Sequence, residues 1–148
     1  MIEEVREFLA LFEGEPNPGM ESIRALMKAL DKLSCAYHET KRCFIDSRKE
    51  PPKENFSEDV KLVARYFPDF GYYPVVYPLD DISVPPSMGD AIDDLADIRR
   101  ELLAVLWRWD NVGEADAENS FRDSYEIHWG RHHLPLLRCY VSAKLLET

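Results

Sequence analysis

Residues 120–133, SFRDSYEIHWGRHH, have the types and spacing of a chemical site. On a helix that turns by about 100° per residue, His128 and His132 lie on the same side as Phe121 and Tyr125. An imidazole among aromatic rings needs a polar partner, because a buried polar group left unpaired costs about 1–3 kcal/mol. We therefore expect both histidines to face polar groups of another element.

Matching polar groups occur in residues 89–101, GDAIDDLADIRRE. Asp90, Asp94, Asp97 and Glu101 stand at i, i+4, i+7 and i+11, so they share one face of a helix. Like charges at this spacing destabilise a helix unless cations from another helix, a metal ion, or water and salt compensate them. The short connection between the two segments favours antiparallel neighbouring helices, which would bring these acids to the histidines.

The first interpretation is a non-enzymatic binding or interaction module, in which a structural polar network joins the two C-terminal helices. Ionisable groups between helices are more often satisfied structural pairs than catalysts. A carboxylate partner would also raise the pKa of a histidine and make the pair sensitive to pH. The residues assigned to this network are Asp90, Asp94, Asp97, Arg122, Glu126, Trp129 and Arg131.

The second interpretation is a metal site made by Asp94, Asp97, His128 and His132. Two histidines four residues apart have the spacing of helical zinc motifs, and carboxylates from a facing helix would complete a shell of nitrogen and oxygen ligands. Such a shell suits zinc, iron or manganese. With one coordination position open, a bound water would become the nucleophile of a metal-dependent hydrolase.

Known metal motifs match this chain incompletely. Trp129 stands where the helical zinc motif has its glutamate. All-helical pyrophosphohydrolases bind magnesium between two acidic helices, and here only Asp123 and Glu126 are available for the second. We therefore expect no cofactor under the first interpretation and a divalent metal under the second. Whether the protein is an enzyme stays open at this point.

Residues 68–86 contain five of the ten prolines together with Tyr72, Tyr73 and Tyr77. This composition predicts a long irregular loop packed across the helices. Tyrosine and tryptophan are also enriched among interface anchors, so the third interpretation is that this loop binds a protein partner. Trp109 falls on an apolar stripe, whereas Trp107 is turned to another side and is the better surface candidate.

Apolar residues recur at helical spacing in five segments. The predicted helices cover residues 2–13, 20–46, 57–67, 88–110 and 114 to near the C-terminus, and the second has a stripe that extends to Phe44. Ser57 and Ser87 are the expected N-caps of the third and fourth. Pro135 lacks a backbone donor and crowds the carbonyl of Arg131, so a kink is expected around residues 130–135. We predict a single all-α domain over residues 1–148, a bundle of about five helices with the proline- and tyrosine-rich loop packed across it.

Charge and composition narrow the function classes. The chain has 28 acids against 18 bases and a formal charge of −10, which disfavours nucleic-acid binding and docking on anionic membranes. It has no apolar run of membrane-spanning length, and its start, MIEEVREFL, is acidic where a secretory signal is basic. Of the three cysteines, Cys35 and Cys43 are expected on one helix, too far apart to bridge. Free thiols in a reducing cytoplasm are the simplest account, and the oligomeric state stays open.

Two motifs, GDAIDDLADI at 89–98 and SYEIHWGRH at 124–132, occur in this order and spacing. On these motifs the chain resembles a family of uncharacterised bacterial proteins described only as a domain of unknown function. The family often has an aromatic residue after the Asp-Ile pair, where this chain has Arg99. The resemblance implies a small, mostly helical cytosolic domain and assigns no catalytic role. It groups as one unit Asp90, Asp94, Asp97, Glu126, His128, Trp129, Arg131 and His132.

Overall fold

The computed structural model describes residues 1–43, 49–53 and 55–147. These residues form six α-helices, a two-stranded antiparallel sheet and one π-helical turn. The predicted helical bundle is therefore confirmed at the level of fold class, with a small sheet in addition. In chain order the elements are α1 (Ile2–Ala10), α2 (Met20–Glu39), α3 (Phe56–Tyr66), β1 (Tyr72–Val75), β2 (Ser87–Asp90), α4 (Ala91–Asn111), α5 (Glu114–Ile127), the π-turn (Trp129–His133) and α6 (Leu134–Leu146).

Helix α4 lies at the centre of the bundle. Its apolar residues Leu95, Ile98, Leu102 and Val105 recur at helical spacing and are fully buried. They pack α4 against α1, α3 and α5. None of the helices in the described part of the chain combines the length and the apolarity that a bilayer span needs. Because α4 is regular over 21 residues, its acids are held at fixed positions beside this core.

The proline- and tyrosine-rich segment was predicted to be irregular throughout. Part of it instead forms strand β1, which pairs with residues 87–90. Strand β1 runs antiparallel to β2, with Tyr73 opposite Gly89. A side chain at residue 89 would place its Cβ 2.7 Å from Val75 Cγ2, so the two strands approach this closely because residue 89 is glycine. Ser87 is consequently in the strand and does not cap a helix. Asp90 caps α4 instead, accepting a hydrogen bond of 3.0 Å from the Ile92 amide.

Three helix boundaries also differ from those predicted. Helix α1 ends at Ala10 and not at residue 13, and α3 begins at Phe56 after the N-cap Asn55, not at Ser57. Helix α2 ends at Glu39 and not at residue 46, because the next backbone amides are bound by side chains of α5. The Lys41 and Cys43 amides donate to Glu118 and Asn119, each over 2.8 Å.

Cys43 therefore does not continue the helix that carries Cys35, although it was expected to share it. Phe44, which was predicted on the apolar stripe of α2, lies outside the described residues. The cysteines at 35, 43 and 139 are free, as expected from their spacing and odd number. A continuous apolar stripe thus predicted the existence of α2 correctly and its end wrongly.

The last predicted helix is interrupted where a kink was expected. His128 leaves the helical conformation after α5, the π-turn follows, and Pro135 stands in the first turn of α6. Trp129 anchors the π-turn: its ring is fully buried and its Nε1 donates to Ser124 Oγ over 2.9 Å. A Cβ on Gly130 would lie 2.4 Å from Tyr125 Cγ, so the aromatic ring packs directly on the backbone of the turn.

Candidate metal centre

Two imidazoles meet three carboxylates between α4 and the π-turn. Helix α4 supplies Asp94, Asp97 and Glu101, which share a face because they stand at i, i+3 and i+7. His128, which precedes the π-turn, and His133, its last residue, face them. We call these five residues the imidazole cluster.

Each imidazole is held through its Nδ1 atom by a different carboxylate. His128 Nδ1 lies 2.5 Å from Glu101 Oε1, and His133 Nδ1 lies 3.0 Å from Asp94 Oδ1. An ionised carboxylate can only accept, so both Nδ1 atoms carry the proton. With Nδ1 protonated, Nε2 of each neutral ring carries the lone pair, and because the two Nε2 atoms lie 3.0 Å apart, a proton or a metal ion between them offsets the repulsion of these lone pairs.

A tyrosine of the hairpin fixes the orientation of Asp94. The hydroxyl of Tyr73 donates to Asp94 Oδ2, and both side chains are buried. Burial raises the pKa of Tyr73, as does its hydrogen bond to Asp94, so the phenol keeps its proton at every physiological pH. Tyr73 therefore acts as a permanent donor that leaves Asp94 Oδ1 for His133.

The remaining ligand atoms of the cluster converge on one point. The two Nε2 atoms of His128 and His133 are 3.0 Å apart. Oδ2 of Asp97 lies 3.5 Å from Nε2 of His133 and 3.9 Å from Nε2 of His128. A point equidistant from three atoms with these separations lies about 2.0 Å from each, the distance at which nitrogen and oxygen ligands bind zinc. These three residues form a group that could hold a metal ion.

The three carboxylates of the cluster concentrate negative charge around this point. Burial lowers the pKa of His133, but its contacts with Asp94 and Asp97 outweigh burial and raise it to about 9. Burial raises the pKa of Asp97, but the hydrogen bond with His133 and the charge of Arg100 outweigh it, so the pKa lies below its usual value. Within the described residues, the buried Oε2 of Glu101 has no hydrogen-bond partner. The cluster therefore favours added positive charge, whether protons or a metal ion.

His132, which was predicted as the second metal ligand, lies outside the cluster. Its ring contacts Tyr77, with the ring centroids 5.1 Å apart. The cause is the π-turn, in which residues five apart share a face, so that His133 takes the position expected for His132. The sequence contains indications of this shift: Gly130 and Pro135 interrupt the helix, and His133 is a further histidine next to His132. The prediction of His132 assumed regular helical spacing across this interruption.

Four other residues predicted for the polar network serve elsewhere. Asp90 caps α4, and Trp129 lies in the core. Arg122 and Glu126 turn away from α4 towards α2. The Arg122 guanidinium donates to Thr40 and Glu126, so it does not join α5 to α4 as the predicted network required. Arg131, the last residue of that set, is exposed at the surface of the π-turn.

The turned-away residues form a second group, which we call the α2-facing cluster. Arg122 donates to Glu126 Oε1 over 2.8 Å and to the Thr40 carbonyl over 2.9 Å. The Tyr37 hydroxyl donates to Glu126 over 2.9 Å, and the Tyr37 ring lies below the Arg122 guanidinium. Arg42 pairs with Glu126 and also with Asp123, over 2.8 Å to the latter, so two guanidinium groups face two carboxylates. This cluster is a charge-balanced joint between α2 and α5.

The three tyrosines of the predicted interaction loop differ in exposure. Tyr73 is buried against Asp94, so it is not available to a partner, contrary to the expectation. Tyr72 and Tyr77 are exposed. Both Trp107 and Trp109 are partly buried, and Trp109 packs against the core.

Two cavities lie beside the imidazole cluster. One of about 460 Å³ between α4 and α5 is lined in part by Glu101 and His128. The other, of about 310 Å³, lies between the β-hairpin and the start of α6 and is lined in part by Asp94 and His133. A small molecule in either cavity would therefore contact a histidine of the cluster.

Comparison of the chain with protein-family models, with curated proteins and with solved structures finds no match. The resemblance to a bacterial family through residues 89–98 and 124–132 therefore stays a prediction, as does the cytoplasmic location. The geometry of the imidazole cluster is the main support for a function.

Proposed function

We propose that this protein binds one divalent metal ion through Nε2 of His128, Nε2 of His133 and Oδ2 of Asp97, and that the ion activates a water molecule for hydrolysis. The proposal is supported by the way in which both nitrogen atoms of each imidazole are placed. Both Nε2 atoms converge with Asp97, while both Nδ1 atoms donate to separate carboxylates. Histidines that bind metals usually have this second hydrogen bond, which orients the ring and increases its basicity.

The ligand set also fits hydrolytic chemistry. Two imidazoles and one carboxylate suit zinc, iron or manganese, and three protein ligands leave a coordination position for water. A metal ion lowers the pKa of such a water from about 15.7 to about 7, which makes hydroxide available at neutral pH. The two flanking cavities provide room for a substrate next to His128 or His133.

A non-enzymatic role is the second candidate, and one observation favours it. The pKa of His133, raised to about 9 by Asp94 and Asp97 against the effect of burial, would keep that ring protonated at neutral pH without a metal. Protons would then fill the cluster and hold α4 to the π-turn as a structural network. The two candidates differ in what occupies the point between the three ligand atoms.

Calorimetric titration of metal-free protein with Zn²⁺, Mn²⁺ and Fe²⁺ distinguishes them. We expect one ion per chain for the wild type and a loss of binding for His133→Ala. His132→Ala is the matched control, because it removes the same side chain one residue away, and it should bind as the wild type does. Equal losses in the two variants, or a wild type that takes up no stoichiometric ion, would contradict the proposal.

Hydrolysis is tested on the protein with its metal restored. We expect cleavage of p-nitrophenyl acetate or of p-nitrophenyl phosphate that chelation removes and that the added ion restores. Asp97→Asn should abolish this activity, and Glu126→Gln, the same kind of change in the α2-facing cluster, should retain it. Metal binding without cleavage of either substrate would leave a metal-binding protein and contradict the hydrolytic part.

A further inference from the structure

The cavity between the β-hairpin and α6 differs in character from the polar cluster beside it. Its volume of about 310 Å³ is at the lower end of the range for small-molecule sites. Its walls are largely apolar side chains from both sides: Val75, Val76, Leu79, Met88, Pro135 and Leu136. Leu79 and Met88 are strongly exposed, so apolar surface is open to a ligand.

An arginine lies at this cavity, where the other side chains that can carry charge near neutral pH are Asp94, which is already hydrogen-bonded to Tyr73 and His133, and the two histidines at 132 and 133. Arg131 lines it and is exposed, and its guanidinium makes no ion pair or side-chain hydrogen bond with any part of the chain that the structure describes. Most other arginines in the same part of the chain pair with carboxylates, as Arg99 does with Asp59 and Arg138 with Asp31. In a protein with a formal charge of −10, an unpaired arginine beside apolar walls is a local recognition element for an anion.

We propose that this cavity binds small carboxylates with an aliphatic or aromatic body, the apolar body against the hairpin and the carboxylate on Arg131. A guanidinium binds a carboxylate through two parallel hydrogen bonds, which orients the ligand as well as attracting it. His133 lines the same cavity, so such a ligand lies next to a metal ligand. The inference deepens the proposed function and rests on it, because such a carboxylate would be the acid product, or the uncleaved carboxylate-bearing part of the substrate, of hydrolysis at that metal centre.

Calorimetry with zinc-loaded protein tests the two halves of the cavity separately, with octanoate and 1-octanol as probes. For Arg131→Gln we expect octanoate to bind about tenfold more weakly, because only the charged contact is lost, and 1-octanol to bind within twofold of the wild type. For Leu79→Ser we expect both probes to bind more weakly. Arg24→Gln is the matched control, since it removes one exposed arginine of α2 and should change neither affinity.

Zinc uptake is measured before either probe is added, so the two proposals fail in different ways. Absence of zinc uptake would overturn the proposed function and this inference with it. Zinc uptake without octanoate binding would overturn this inference alone. This inference alone would also be overturned if Arg131→Gln changes octanoate affinity no more than Arg24→Gln does. A further contradicting result would be that only His133→Ala abolishes octanoate binding, because the carboxylate would then bind the metal ion and not Arg131.

Discussion

The α5 helix and the π-turn carry two polar clusters that differ in how charge is balanced. In the α2-facing cluster two cations face two anions: Arg122 pairs with Glu126, and Arg42 pairs with Glu126 and Asp123. In the imidazole cluster three carboxylates face two imidazoles, and Arg100 is the guanidinium that pairs with one of the acids. With neutral imidazoles this second cluster keeps an excess of negative charge, which one divalent ion or two protons would offset.

This difference separates a structural joint from a binding site. The α2-facing cluster is complete with its own side chains, so an external ion would gain little by entering it. The imidazole cluster has three ligand atoms that face each other and a surrounding set of acceptors that hold the rings in place. Charge balance within the chain, and not the number of charged groups, is therefore the better guide to which cluster takes a ligand.

Substitutions in the two clusters should differ most in their effect on zinc affinity. Asp97→Asn removes the carboxylate ligand and should weaken zinc binding by more than about a hundredfold, beyond the 10–100-fold typical of losing a residue that only supports a ligand. Glu126→Gln makes the same change in the α2-facing cluster and should leave zinc affinity unchanged. Competition with a chromophoric chelator measures both constants. Equal effects of the two substitutions would remove the distinction between the clusters.

The pH dependence of metal-free protein should also identify the imidazole cluster. The pKa of His133 is raised to about 9 because Asp94 and Asp97 outweigh burial, whereas an unfolded histidine has a pKa of about 6.5. The folded state therefore binds a proton more tightly, so this stabilisation is complete below pH 6.5 and is lost as the pH rises through 9. We expect a loss on the order of 1–3 kcal/mol in urea unfolding between those values.

Two controls belong to this pH profile. His133→Gln cannot titrate, so its free energy of unfolding should change less over the same range. Zinc-loaded protein should not lose stability in this way, because the ion replaces the proton between the rings. A profile of the wild type that is flat from pH 6.5 to 9.5 would contradict the assignment of the coupled proton to His133.

The turn that separates the clusters should be sensitive to one methyl group. Gly130→Ala would place a Cβ 2.4 Å from Tyr125 Cγ, so the ring or the turn must move. We expect a destabilisation of about 1–3 kcal/mol in urea unfolding and weaker zinc binding, because the register of His133 depends on the turn. Gly71→Ala is the control, since a Cβ there meets nothing within 4 Å. An unchanged stability of Gly130→Ala would show that the turn is not packed as described.

The smallest effect is expected in the α2-facing cluster. Arg122→Ala removes four hydrogen bonds, to Tyr37, to the carbonyl and hydroxyl of Thr40 and to Glu126, and the contact with the Tyr37 ring, which should cost about 1–2 kcal/mol of unfolding free energy. Zinc affinity should stay within twofold of the wild type, because none of these contacts reaches α4. A loss of zinc binding in this variant would mean that the two clusters act as one unit, as the resemblance to the bacterial family implied.

Site residues on regular backbone could be predicted from the sequence, whereas those on irregular backbone could not. The acidic face of α4 was predictable, because 21 residues of unbroken helix keep Asp94, Asp97 and Glu101 on one side. The histidine partner was wrong by one residue. A kink was predicted from Pro135, but the extra residue in the π-turn depends on the packing of the buried Trp129 and of Tyr125, which is a tertiary contact.

The sheet and the end of α2 were missed for a similar reason. Strand β2 has the sequence SMGD, whose polar and small residues do not favour a strand. It is a strand because Tyr73 of β1 packs beside Gly89. Lys41 and Cys43, which were predicted in α2, lie outside the helix because Glu118 and Asn119 of α5 accept hydrogen bonds from their backbone amides. In both places the decisive contact lies far along the chain, where local periodicity carries no information.

A crystal structure of the zinc-soaked protein, with anomalous data at the zinc edge, would locate the ion and its ligands. We expect one anomalous peak, with Nε2 of His128, Nε2 of His133 and an oxygen of Asp97 about 2.0–2.2 Å from it. Glu101 and Asp94 should remain hydrogen-bonded to the two Nδ1 atoms. A peak on His132 in place of His133, or no peak between α4 and the π-turn, would contradict the account.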